Sequence, residues 1–121
     1  MTGIGVDIVE FNRIKAMVKK EKFIDKVLSN KEKEVYLTLA SEKRQLEYLA
    51  GRWAIKEAIY KAAPALCQGK NFIDFSILND VSGAPYLDEP RVATFMMTLS
   101  HSENYAVAFV VFVSSFCNND E

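Results

Sequence analysis

The chain has 121 residues, half of them hydrophobic, which suits one globular domain with a modest core. Its 15 basic and 16 acidic side chains nearly cancel, so neither nucleic acid nor a membrane surface is implied as a general partner. Cys67 and Cys117 stand in no metal or redox spacing, and there is neither a signal peptide nor an apolar run long enough to span a bilayer, so the expectation is a reduced, cytoplasmic protein.

Gly3 to Val9 reads as a strand, with Ile4, Val6 and Ile8 on one face and Gly5, Asp7 and Val9 on the other. Asp7 is then a carboxylate inside a β-branched run, where Asp is disfavoured. A helix is expected next, with Phe11, Ile14, Met17 and Val18 inward. Between Asn12 and Lys26 lie Arg13, Lys15, Lys19, Lys20, Lys22 and Lys26 against only Glu21 and Asp25, a local surplus that suits an acidic partner or a solvated face. Ser29-Asn30-Lys31-Glu32 has the form of a capping box opening a short helix.

Ser41 is the expected N-cap of the longest helix, which runs to about Ala62 and stops before Pro64. Leu46, Leu49, Ala50, Trp53 and Tyr60 draw one apolar face, and Glu57 falls inside it with Lys61 one turn on. Such a carboxylate needs a cationic partner, which is either Lys61 or a metal ion. The second face carries Tyr48, Ile55, Ile59 and Ala62, leaving a narrow polar arc of Gln45, Arg52 and Lys56. A helix apolar on two sides is central to its fold or packs on another subunit.

Pro64 to Asn71 reads as a loop, and Ile73, Phe75 and Ile77 alternate as a strand. Asn79 to Gly83 supplies turn chemistry before a short extended piece at Ala84 to Leu87. Arg91 to Phe95 fits helix or strand equally. Met96 to Ser100 and Tyr105 to Val113 read as strands, the last apolar on both faces and therefore a central or interface strand. Residues 1–115 form one α+β domain, and 116–121 a polar tail.

Asp7, Glu57, Lys61 and His101, the only histidine, are the groups that carry chemistry. Two acids with a lysine and a histidine suit magnesium-assisted chemistry on a phosphate, because hard oxygen ligands share the cation with substrate phosphates. The structural alternatives are an i,i+4 pair of Glu57 with Lys61 and an ordinary hydrogen-bonded histidine.

The run Gly3-Ile4-Gly5-Val6-Asp7-Ile8-Val9-Glu10 with Arg13-Ile14 resembles the opening of the holo-[acyl-carrier-protein] synthases, the small bacterial 4′-phosphopantetheinyl transferases. Leu49 to Ala58 with Lys61-Ala62 is similar to their central helix. Leu99-Ser100-His101-Ser102 with Tyr105 to Ala108 is similar to their C-terminal motif, and Asn79-Asp80, Gly83 and Pro85-Tyr86 fit the connecting turn. The resemblance implies an antiparallel sheet packed on a long central helix. It implies transfer of phosphopantetheine from coenzyme A to a serine of an apo acyl carrier protein, with Asp7 and Glu57 as magnesium ligands. Glu57 is also a candidate base. Lys61 and His101 would meet phosphates, Arg44 and Arg52 would contact coenzyme A, and Arg13 and Met17 would dock the carrier. A homotrimer with sites between subunits is implied as well.

Two departures from the family pattern stand out. Ala63 to Cys67 replaces a glycine-rich turn, and Ala84 stands where a lysine is usual. They support the alternative of a protein that binds coenzyme A or carrier without transfer. The intact acid pair argues for an enzyme.

Overall fold

The computed structural model describes residues 2–91 and 94–113. The chain order is β1 (Thr2–Glu10), α1 (Phe11–Val18), α2 (Phe23–Val27), α3 (Asn30–Thr38), α4 (Glu42–Ala62), a 3-10 turn (Phe72–Asp74), β2 (Ser76–Asn79), β3 (Pro85–Glu89), β4 (Thr94–His101) and β5 (Tyr105–Val113). An antiparallel sheet in the order β1-β5-β4 lies on α4, and β2 and β3 form a separate hairpin. The α+β expectation and the central place of β5 both hold. The polar tail expected at 116–121 lies outside the described residues.

Local signals set most boundaries. The Ser41 hydroxyl accepts from the Arg44 backbone N–H at 3.1 Å and starts α4. Ser29 and Glu32 complete a reciprocal capping box at α3. The Asp80 carboxylate gathers the backbone N–H groups of Ser82 and Ala84, and Gly83 takes a positive φ of 92°, which closes the β2–β3 turn.

Packing of α4 on the sheet depends on two glycines. A Cβ at Gly3 would lie 1.9 Å from the Ala62 carbonyl oxygen, and one at Gly5 2.0 Å from that of Ala58. The strand backbone therefore rests directly on the helix backbone, the two running in opposite directions. Leu49, Ala50, Ala54, Ile55, Ala58 and Ile59 of α4 are fully buried against this sheet, α1 and the hairpin.

The outer face of the sheet is different. Ile4, Val6 and Ile8 are 69%, 53% and 63% exposed, and across the register lie Phe109 and Met96, also exposed. A single protomer leaves this apolar face uncovered.

The structure corrects or completes the sequence reading at four places. The polar arc of α4 is not solvated: Lys56 and Arg52 are buried, because α2, α3 and the hairpin cover that side. The alternation at Ile73, Phe75 and Ile77 is not one strand. Asp74 accepts from the Asn71 backbone N–H at 2.8 Å, which bends 72–74 into a 3-10 turn and delays β2 until Ser76. The short helix α2 was not anticipated; it begins after Lys22, whose φ of 67° reverses the chain. At the ambiguous Arg91–Phe95 stretch, Thr94 and Phe95 open strand β4.

Candidate active site

Asp7 is the next residue after Gly5 on the helix-facing side of β1, so it meets α4 one turn before Ala58. Lys61 reaches back from α4 to meet it. Its Nζ donates to the Val6 carbonyl at 2.9 Å and lies 3.2 Å from Asp7 Oδ1. The i,i+4 partnership of Glu57 with Lys61 does not form, and Glu57 makes no ion pair within 4 Å among the described residues.

Glu57 is half-buried beside this pair. Burial raises its pKa, the Asp7 charge raises it further, and Lys61 and Arg13 offset the shift only in part. Two carboxylates thus share one lysine that is already engaged with Asp7. The site is short of positive charge, and its donors are carboxylate oxygens. Among the described residues no group of three or more His, Cys, Asp and Glu side chains gathers. Two protein carboxylates fit a magnesium-type ion, whose other ligands come from water and substrate phosphates. They do not fit a zinc cage.

His101 ends β4 on the same face of the sheet. It pairs with Ala106, which pairs with Val9, so one strand separates it from β1. It is exposed, with Nδ1 3.3 Å from the Ser102 carbonyl oxygen and its ring 6.1 Å from that of Phe11. Among the described residues no hydrogen bond joins it to Asp7, Glu57 or Lys61. Arg44 is exposed in the first turn of α4, roughly 20 Å along the helix from Glu57 at 1.5 Å per residue. One protomer therefore does not gather all the predicted groups.

Arg52 is turned away from the site. Its Nη2 donates to Asn79 Oδ1 at 2.9 Å, its guanidinium lies 4.3 Å from the Tyr48 ring centroid, and Nε is buried without a partner. In this protomer it ties α4 to the hairpin, which closes over it.

Met17 lines a groove of about 310 Å³, and Arg13 lies against the Trp53 ring that forms part of it. Met17, Phe23, Val27, Trp53 and Phe72 supply its apolar surface, and Lys20, Lys26 and Glu21 lie on it, with basic charge in excess. The Arg13 guanidinium is 5.9 Å from the Trp53 ring centroid and its charge is felt by Glu57. The groove and the acid pair are contiguous through that one residue.

Sequence reasoning missed a second acid–lysine pair. Lys56 and Glu32 are both 0% exposed. Lys56 Nζ donates to Glu32 Oε1 at 2.6 Å, to the Val27 carbonyl at 2.7 Å and to the Phe72 carbonyl at 2.9 Å. Glu32 in turn accepts from the backbone N–H groups of Ser29 and Ile77. Burial still lowers the Lys56 pKa, with Glu32 opposing it. The only signal in the sequence was the capping-box role of Glu32, which says nothing of Lys56.

Comparison with known proteins identifies the family and the fold. Residues 3–110 match the 4′-phosphopantetheinyl transferase superfamily. The chain is 44% identical over 110 residues to a holo-[acyl-carrier-protein] synthase of Acholeplasma laidlawii, covering 89% of this chain and 92% of that protein. Its fold is similar to a holo-(acyl-carrier-protein) synthase from Bacillus anthracis solved in complex with coenzyme A (3′,5′-ADP), with a TM-score of 0.80 and 38% identity over 93% of this chain and 96% of that one. The Helicobacter pylori holo-[acyl-carrier-protein] synthase in complex with coenzyme A gives a TM-score of 0.73 at 28% identity, over 91% of this chain and 99% of that one. By its sequence and by its fold, the chain belongs to the 4′-phosphopantetheinyl transferase superfamily.

Proposed function

We propose that the protein transfers the 4′-phosphopantetheine group of coenzyme A to a serine hydroxyl of an apo acyl carrier protein, releasing adenosine 3′,5′-bisphosphate, with magnesium required. The observation that carries this reading is the acid pair Asp7 and Glu57 sharing one already engaged lysine, in a chain of this superfamily. Mere binding of coenzyme A has no need of two adjacent carboxylates with unbalanced charge.

In the reaction the serine oxygen forms a bond to one phosphorus of the pyrophosphate. The bond to the oxygen that leaves with the adenosine phosphate breaks. Asp7 and Glu57 would hold a magnesium ion, which would supply positive charge against the pyrophosphate. Lys61 presents a half-exposed ammonium beside Asp7, placed to meet phosphate oxygens as charge moves onto them. Glu57 is the candidate to take the serine proton, directly or through a metal-bound water. Positioning of the two substrates supplies much of the remaining acceleration.

The carrier docks along Arg13 and Met17, where the basic surplus of Asn12 to Lys26 and the groove meet an acidic amphipathic segment. A homotrimer is supported by the uncovered Ile4, Val6, Ile8 and Phe109 face. Sites between subunits would let His101 and Arg44 of one protomer serve the acid pair of another. No helix among the described residues is long and apolar enough to cross a membrane, in keeping with action on a cytoplasmic carrier.

The test is to incubate the protein with apo carrier, coenzyme A and magnesium, and weigh the carrier. A gain of one phosphopantetheine that disappears on chelation supports the reading. Coenzyme A binding with no mass gain would instead favour a non-catalytic binding protein.

A further inference from the structure

We propose that Lys56, fully buried and bonded to Glu32 and two main-chain carbonyls, is a positioning residue that holds the walls of the carrier-docking groove over its Trp53 floor. The inference rests on the carrier-transfer reading above and deepens it.

The groove has walls that cannot hold themselves. One is α2, five residues long and without a side-chain cap, and the other is the three-residue turn at Phe72. Helical pieces of this length are not stable alone. Each is tied to α4 through the same atom. Lys56 Nζ donates to the carbonyls of Val27 and Phe72, and both of those residues line the groove. Its third donor goes to Glu32, so the ammonium is saturated. Trp53, the floor, is three residues before Lys56 on α4 and packs its ring on Phe23 at 5.8 Å and on Phe72 at 5.2 Å. Floor and clamp therefore share one helix face.

An apolar side chain of similar volume could fill the space, since buried ion pairs are replaceable without loss of stability. What an apolar side chain cannot do is aim separate donors at two carbonyls from opposite walls. The carboxylate of Glu32 contributes differently: its other bonds run to Ser29 and Ile77, neither of which lines the groove. Lys56 thus fixes the groove through two of its donors, and Glu32 takes only the third.

The test compares E32Q with the double variant E32Q/K56M, which avoids leaving a buried carboxylate unpaired. A third variant, D74A, removes the acceptor that caps the Phe72 turn and leaves Lys56 intact. Steady-state kinetics are run separately against apo carrier and coenzyme A. Carrier binding is also followed by the fluorescence of Trp53, the only tryptophan. In E32Q/K56M, KM for the carrier rises about tenfold, while KM for coenzyme A and kcat at saturating carrier stay within about twofold. E32Q alone keeps the two carbonyl bonds and its carrier KM stays within about twofold of the parent, and D74A raises it about threefold.

The proposal is overturned if a folded E32Q/K56M keeps the parental carrier KM. It is overturned equally if both substrates' KM values rise together, or if E32Q matches the double variant. Should the double variant not fold by circular dichroism, D74A decides: an unchanged carrier KM and an unchanged Trp53 response overturn the role. Failure of the transfer reading itself looks different, since the parent protein then modifies no carrier.

Discussion

Two lysines on α4, five residues apart, meet two acids in opposite ways. Lys56 and Glu32 are sealed from water, and nearly every donor and acceptor between them has a partner. Lys61 is half-exposed and engages Asp7, with Glu57 beside them and no ion pair of its own among the described residues. A saturated pair has no capacity left for a ligand and serves to hold segments together. An unsaturated one is poorly satisfied until a cation and phosphates arrive. The difference lies in the count of partners, since the residue types are the same.

The largest test of that contrast removes the open site's acids. D7A or E57A should lower transfer about a hundredfold or more, equivalent to ~3 kcal/mol of transition-state stabilisation, with the fold retained. Carrier mass gain measures the first half and circular dichroism the second. A fully active D7A/E57A double variant would sink the assignment.

Removing a lysine should separate the two pairs by stability. K56M leaves Glu32 buried and unpaired and should cost about 3–5 kcal/mol in urea unfolding. K61M should cost less than ~1 kcal/mol, because its pair is solvent-screened, yet should impair transfer. Equal losses of stability would erase the distinction.

Next in size is G5A. Its methyl would meet the Ala58 carbonyl, so β1 must lift from α4 at a cost of about 1–3 kcal/mol. Since Asp7 is carried on that strand, transfer should fall out of proportion to stability. Unchanged kcat in G5A would mean that the strand–helix spacing does not set the site.

The smallest effect is the pH response of Glu57. Its folded pKa is raised, so the folded state binds more protons than the unfolded one between the usual glutamate value and the raised one. Stability therefore declines slightly as pH rises through that window. E57Q should melt slightly higher than the parent above the window and match it below. Magnesium affinity of the parent should run the other way, weakening as Glu57 takes up its proton. A melting difference independent of pH would contradict the assigned cause.

The parts legible in the sequence were those with local causes. Ser41, the Ser29–Glu32 box and the Asp80 turn each act within four residues. The strict alternation of β1 placed Asp7 on the Gly3–Gly5 side, and the motif resemblance named its partners. Lys56 was illegible for the opposite reason. Its acceptors are 16, 24 and 29 residues away, and a lysine on a helical wheel reads as outward until those segments are folded over it. The Ile73–Ile77 alternation misled because three residues at period two cost nothing to match, and the Asn71–Asp74 cap overrode it. The burial of Arg52 was illegible in the same way, since the hairpin that covers it starts 24 residues later.

Strand β1 has one further consequence. Its odd positions, Gly3, Gly5 and Asp7, fit the helix, and its even positions, Ile4, Val6 and Ile8, make the uncovered face. A slip of one residue against β5 would press an isoleucine into the Ala58 carbonyl and hand Asp7 to the apolar side. The strand therefore proofreads its own pairing. A misregistered chain loses the close seat on α4, the placing of the site's acid and the exposed apolar face in one stroke.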